Sequence, residues 1–286
     1  MLAVDDPIAK AHLIGTLLND VVMNLDTRIT ALEKAQPPEP EPPNPPEGLH
    51  NIGSWYIDRD LKARLQLDMA IGMFAPTNPA NLIYLCDTLK LSTVQALIYG
   101  PHLGWSKEQM LQAADTVGQL SMSYPQITLL LDDFWATADT LGRQIWEKVI
   151  LTARQYNSSL KVYIVVYPFQ LDRHLYQGWQ NAAWPNGVSL WVWDWENIRY
   201  IDFYYNQIND IYGSVLALMG GVYVTDYVHG GDKPIPVYAF QDLQTFWCEK
   251  IVKGEADGLT TLFYPAAIKQ WPEYIGYAKE VYSAYR

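Results

Sequence analysis

The stretch 127–135 reads Ile-Thr-Leu-Leu-Leu-Asp-Asp-Phe-Trp, and its reading decides the fold. It is an apolar run of branched side chains that stops on two carboxylates and two aromatic rings. A run this short, closed off by polar residues, fits a strand buried on both faces, as strands of a parallel sheet are. Acids at the end of such a strand cost free energy unless they are solvated, paired or used. Asp132 and Asp133 are therefore expected at a working face. Adjacent residues of an extended strand point to opposite sides, so only one of the two can face inward.

Working outward, similar runs recur at 51–57, 67–74, 94–99, 162–167, 188–194, 221–226 and 258–264. Between them lie helical patterns at 79–89, 106–121, 140–157, 171–182, 198–218, 237–253 and 271–285. Pro79 suits the first position of a helix, and Ser106 suits an N-cap. Strand and helix in alternation imply a parallel sheet with right-handed crossovers. Eight strands in a chain of 286 residues point to a (β/α)8 TIM-type barrel occupying 49–286. The first unit is the irregular one, because only residues 58–66 join its two strands. The run 51–57 is then either a barrel strand or a lead-in strand or plug. An open doubly wound sheet is the competing architecture, but the Gly-rich turn that would make it nucleotide-binding is missing.

The barrel is preceded by two segments of different character. Residues 8–35 carry heptads, with Ile8, Gly15, Val22 and Ile29 at a and Ala11, Leu18, Leu25 and Leu32 at d. This predicts an oligomerising coiled-coil helix over 1–35. β-branched a with leucine d leans towards two strands; Ile14 and Val21 widen the stripe and favour a trimer. An amphipathic helix docked on its own barrel is the alternative. Residues 36–48 form a proline-rich linker, Gln-Pro-Pro-Glu-Pro-Glu-Pro-Pro-Asn-Pro-Pro-Glu over 36–47. Helix and sheet cannot run through these prolines, so a stiff polyproline II spacer is expected.

Composition narrows the partners. A net charge of −11 argues against nucleic acid and against anionic surfaces. No run is long and apolar enough for membrane insertion. The first residues lack the basic start and apolar stretch of a signal peptide. Cys86 and Cys248 read as buried free thiols. His102, His174 and His229 show no ligand spacing, and no nucleotide, metal or serine-nucleophile motif occurs, so neither metal nor cofactor is expected.

Barrel enzymes place their working groups at the C-terminal ends of the strands. Here those ends bring Tyr99, Asp132, Asp133, Trp135, Tyr167, Trp193, Asp194, Trp195, Glu196, Asp226, Tyr227 and Tyr264. Acids and rings dominate; lysine and arginine are nearly absent. Tryptophan and tyrosine stack on the C–H faces of sugars, and glycosidic cleavage needs a pair of carboxyl groups. The catalytic candidates are Asp132, Asp133, Asp194 and Asp226, with the inward member of the strand-four pair working with an acid from strand six or seven. The remaining residues named are substrate-binding candidates. Asp194 and Glu196 fit the start of the next helix equally well, and Asp132 and Asp133 also suit helix caps.

An acidic cluster closing the fourth strand of an eight-stranded barrel resembles glycoside hydrolases. The Asp132-Asp133 pair is similar to that of substrate-assisted hexosaminidases. The resemblance implies that one acid orients an acetamido group while the other protonates the leaving oxygen. The helix and proline-rich spacer of residues 1–48 resemble the trimerising stalks of bacteriophage tail and virion fibres. That resemblance implies a homo-oligomeric virion appendage, made without a signal peptide in a host cytoplasm and attached to a larger assembly. Its head would bind or cleave bacterial surface glycan, the alternative being an inactive barrel that serves as a receptor-binding or structural head.

Overall fold

The computed structural model describes residues 48–100, 104–132, 140–171, 185–212, 217–229, 231 and 233–286. The heptad helix, most of the linker, Asp133, Trp135 and nearly all of the helix expected at 171–182 lie outside the described residues.

Eight parallel strands close into a barrel in sequence order. They are β1 (Ile52–Ser54), β2 (Met69–Gly72), β3 (Thr93–Ile98), β4 (Ile127–Leu131), β5 (Val162–Val166), β6 (Gly187–Trp191), β7 (Ala217–Tyr223) and β8 (Gly258–Leu262). The outer layer holds α1 (Arg59–Leu65), α2 (Ala80–Asp87), α3 (Lys107–Ser121), α4 (Thr140–Arg154), α5 (Ile201–Tyr212), α6 (Val237–Val252), α7 (Pro265–Gln270) and α8 (Glu273–Ala284). This is the (β/α)8 TIM barrel read from the strand–helix alternation.

The barrel is closed where the sequence left a choice. β1 pairs with both β2 and β8, so it is a true barrel strand and not a plug. It is three residues long, and its N-terminal end is held by a side chain. The Asp68 carboxylate accepts hydrogen bonds from the Asn51 and Ile52 amides at 2.9 and 2.6 Å. Seven residues of α1 suffice for the crossover, capped by Asp58, which accepts from the Leu61 amide at 2.8 Å. Gln66 ends that helix in the left-handed region, at φ 51°.

Period-two alternation sorts the strand side chains into two cores. Leu129, Leu131, Ile164 and Val166 face the helices, within the large outer cluster. Ile71, Leu97, Leu130, Val165 and Trp191 face the barrel axis and form a second cluster. Each such side chain, fully buried, contributes about 1.5–3 kcal/mol.

One boundary departs from the sequence reading, and one short helix was not in it. The long helix expected at 198–218 is a 3-10 turn at Trp195–Tyr200 followed by α5, and β7 begins at Ala217. The pair Gly220-Gly221 lies inside β7, where each glycine makes room for an indole. A Cβ on Gly220 would fall 2.2 Å from Trp247 of α6, and one on Gly221 would fall 2.0 Å from Trp191. The final helix expected at 271–285 is α8, and a short helix that the sequence pattern did not mark, α7, precedes it.

Candidate functional site

The C-terminal mouth of the barrel is built from residues immediately past the strands. Asp132 follows β4 with the parity of Leu130, so its carboxylate turns towards the axis. It is 5 % exposed. The Tyr167 hydroxyl, past β5, donates to Asp132 Oδ1 at 3.4 Å, and the Tyr223 hydroxyl of β7 donates to Tyr167 at 3.5 Å. These three groups form a chain across the mouth. Burial, with Asp132 adding its negative charge, pushes the Tyr99 phenol up to about 12. Burial, followed by Tyr223 and Asp132, holds the Tyr167 phenol well above its usual value. Burial likewise raises Tyr223. These phenols stay protonated at neutral pH, with Tyr167 donating to the carboxylate and Tyr223 to Tyr167.

Aromatic rings surround that chain. Trp191 closes the floor, with Trp55 at 5.8 Å and Tyr223 at 4.9 Å, both edge to face. Such pairs are worth about 0.5–1.5 kcal/mol beyond burial, which stiffens the floor. Above it, Tyr167 stacks on Phe169 at 5.8 Å with ring planes 1° apart, and Trp193 tilts against both. Phe169 is 60 % and Trp193 44 % exposed. They line a cleft of about 460 Å³ with Asp194, Asn197, Tyr204 and Val228. The buried acid thus connects, through Tyr167, to an exposed aromatic shelf.

The sequence-derived candidates divide between this mouth and other roles. Tyr99, Asp132, Tyr167 and Trp193 come together there. Tyr264 joins through its hydroxyl, 2.8 Å from Thr225 Oγ1, and Tyr227 packs edge to face on Tyr223 at 5.4 Å. Asp194 caps the 3-10 turn, accepting from the Glu196 amide at 3.1 Å and from Asn197 Nδ2 at 2.7 Å. Asp226 accepts from Trp195 Nε1 at 3.1 Å and from the His229 amide at 3.1 Å, while the His229 ring nitrogen Nδ1 lies 2.9 Å away. Burial works to raise the Asp226 carboxyl, but the His229 and Trp195 hydrogen bonds outweigh it and hold the group below the usual carboxylate range. Trp195 and Glu196 line a separate groove between α5 and α6. Among the described residues, no group of three His, Cys, Asp or Glu side chains is placed to hold a metal ion.

Three mouth residues were absent from the candidates: Trp55, Phe169 and Tyr223. Parity locates Tyr223, two residues beyond the axis-facing Gly221, but not Phe169, which stands on the 3-10 turn Pro168–Gln170 past β5. Trp55 needed β1 to be recognised as a barrel strand.

No family model matches the chain, and no curated protein matches it. Solved structures do. A β-galacturonidase of glycoside hydrolase family 2 from Eisenbergiella tayi, bound to galacturonate, superposes with a TM-score of 0.57 at 12% identity, over 79% of this chain and 47% of that one. A family 5 broad-specificity endoglucanase from an uncultured bacterium gives 0.55 at 9% identity, over 80% and 84%. A glycoside hydrolase-like protein also gives 0.55 at 9%, over 89% and 99%. The fold is that of glycoside hydrolase TIM barrels. This chain spans about half or less of the length of the uronidases it matches. At these identities the likeness concerns the fold, and the site must be argued from its own residues.

Proposed function

We propose that the barrel binds a glycan at its C-terminal mouth, with Asp132 accepting from sugar hydroxyls at the floor and the Phe169–Trp193 shelf stacking on a ring further out. The observation that carries this reading is the continuity from the buried Asp132, through Tyr167, to exposed aromatic rings. A carboxylate and phenol donors supply both hydrogen-bonding senses that hydroxyls need, and the rings supply the stacking surface. The glycoside hydrolase fold supports a carbohydrate ligand by analogy. The test is glycan-array binding with the wild type, Asp132→Asn and Trp193→Ala. Binding that both substitutions leave unchanged would sink the reading.

Hydrolysis is the second reading, and the position of Asp132 at the end of β4 favours it. Cleavage needs a second carboxyl group roughly 5–10 Å away. Among the described acids, Asp194 and Asp226 already hold local hydrogen bonds, which leaves the neighbouring Asp133 as the acid to test. A reducing-end release assay comparing wild type with Asp132→Asn and Asp133→Asn separates a binding head from an enzyme. Release abolished by either substitution establishes turnover; bound glycan with no release establishes a head.

We further propose that residues 8–35 trimerise and that residues 36–48 hold the barrel away from that anchor, as a virion appendage would require. Sedimentation of a protein lacking residues 1–47 should give a monomer. An oligomer that survives the deletion overturns the stalk.

A further inference from the structure

We propose a second ligand site on the flank of the barrel, a groove between α5 and α6 that takes an amine-bearing oligosaccharide. The groove encloses about 580 Å³, within the range of small-molecule sites. Buried Ile198 and Ala239 form part of its apolar floor. Trp195 and Tyr238 stand on its walls, edge to face at 6.3 Å with planes 89° apart, and Tyr238 is 60 % exposed. This is a ring surface of the kind on which a pyranose or a cation rests.

The charges around the groove set the ligand class. Glu196, Asp202 and Asp242 line it with Arg199; Lys250, which lies 5.5 Å from the centroid of the lining Phe246 ring and acts on Asp202, is itself paired with Glu255. None of the four enters an ion pair among the described residues, where the ion pairs lie at other positions. The Arg199 guanidinium instead lies over the Tyr200 ring, 4.9 Å from its centroid. Glu196 and Asp202 sit in the first turns of their helices, where the helix dipole favours acids. Asp242 lies further into α6 and has no such reason to be there. An excess of carboxylates beside exposed rings suits a ligand with hydroxyl donors and protonated amines and opposes uronic acids. The groove is distinct from the mouth, which lies inside the ring of strands. Trp195 nevertheless links the two, because the same indole that walls the groove donates to Asp226 at the base of the loop after β7.

The experiment uses the full chain and three probes: glucosamine tetrasaccharide, its N-acetylated counterpart and galacturonate tetrasaccharide. Isothermal titration should show the amine-bearing probe binding more tightly than the other two, with affinity falling as salt is raised. Tyr238→Ala and Asp242→Asn should each weaken it at least tenfold without lowering Tm. Asp132→Asn should leave it unchanged, so failure here is separable from failure at the mouth. The proposal is overturned if the amine-bearing probe does not bind, if all three probes bind alike, if both groove variants bind as wild type does, or if Asp132→Asn removes the binding.

Discussion

The ends of β4 and β7 look alike in sequence, each an apolar strand stopping on an aspartate, yet the barrel treats them in opposite ways. Asp132 shares parity with the axis-facing Leu130 and meets a phenol across the mouth. Asp226 shares parity with the helix-facing Val224 and is engaged by Trp195 and His229. One acid faces the barrel axis; the other ties down a loop. An acid at a strand end thus faces the axis or braces a loop according to which side of the strand it falls on, and parity is fixed further back in the strand.

The largest effect comes from crowding the floor on which Asp132 stands. Gly221→Ala places a methyl 2.0 Å from Trp191 in the floor of the mouth. Overpacking of this kind should cost about 3 kcal/mol, read as a drop in the urea midpoint. Next comes the brace. Asp226→Ala leaves the Trp195 and His229 donors without their acceptor and should cost about 2 kcal/mol in the same measurement. The carboxyl is depressed in the folded protein, so its contribution is complete above the unfolded value, about pH 4, and is lost as pH falls through the folded value. The stability gap between wild type and Asp226→Ala should accordingly narrow below about pH 4. Asp132→Asn sharpens the contrast from the other side. It should reduce glycan affinity about tenfold, about 1.4 kcal/mol, while moving Tm less than Asp226→Ala does. The smallest effect on stability belongs to Asp194→Ala, which removes a cap and should cost about 1 kcal/mol in the urea measurement.

The barrel was legible because its strands are buried on both faces and its helices on one, so the two periods alternate plainly along the chain. The stretch 127–135 showed this most clearly, and the inward turn of Asp132 follows the parity of Leu130. What resisted reading was local. The strand expected from 221 begins at Ala217, and sequence cannot show the two indoles, from α6 and β6, for which Gly220 and Gly221 make room. The N-terminal end of β1 is held by the Asp68 carboxylate, which reaches it from outside the strand. Asp194 and Asp226 could not be separated from Asp132 by composition, because hydrogen bonds to Asn197, Trp195 and His229 set their roles. Phe169 escaped notice because it stands on a 3-10 turn past β5, where strand alternation no longer guides the eye.

The thinness of β7 has a spectroscopic consequence. With no side chains on Gly220 and Gly221, the wall of the barrel at that point is bare backbone between two indoles, Trp247 outside and Trp191 within. The α-protons of both glycines lie against aromatic faces, in the shielding region of the ring currents. Two glycine resonances should therefore stand well upfield of the rest in a proton spectrum. The Gly221 signal reports on the mouth through Trp191, and the Gly220 signal on the helix layer through Trp247. A ligand entering the mouth would move the first and leave the second in place.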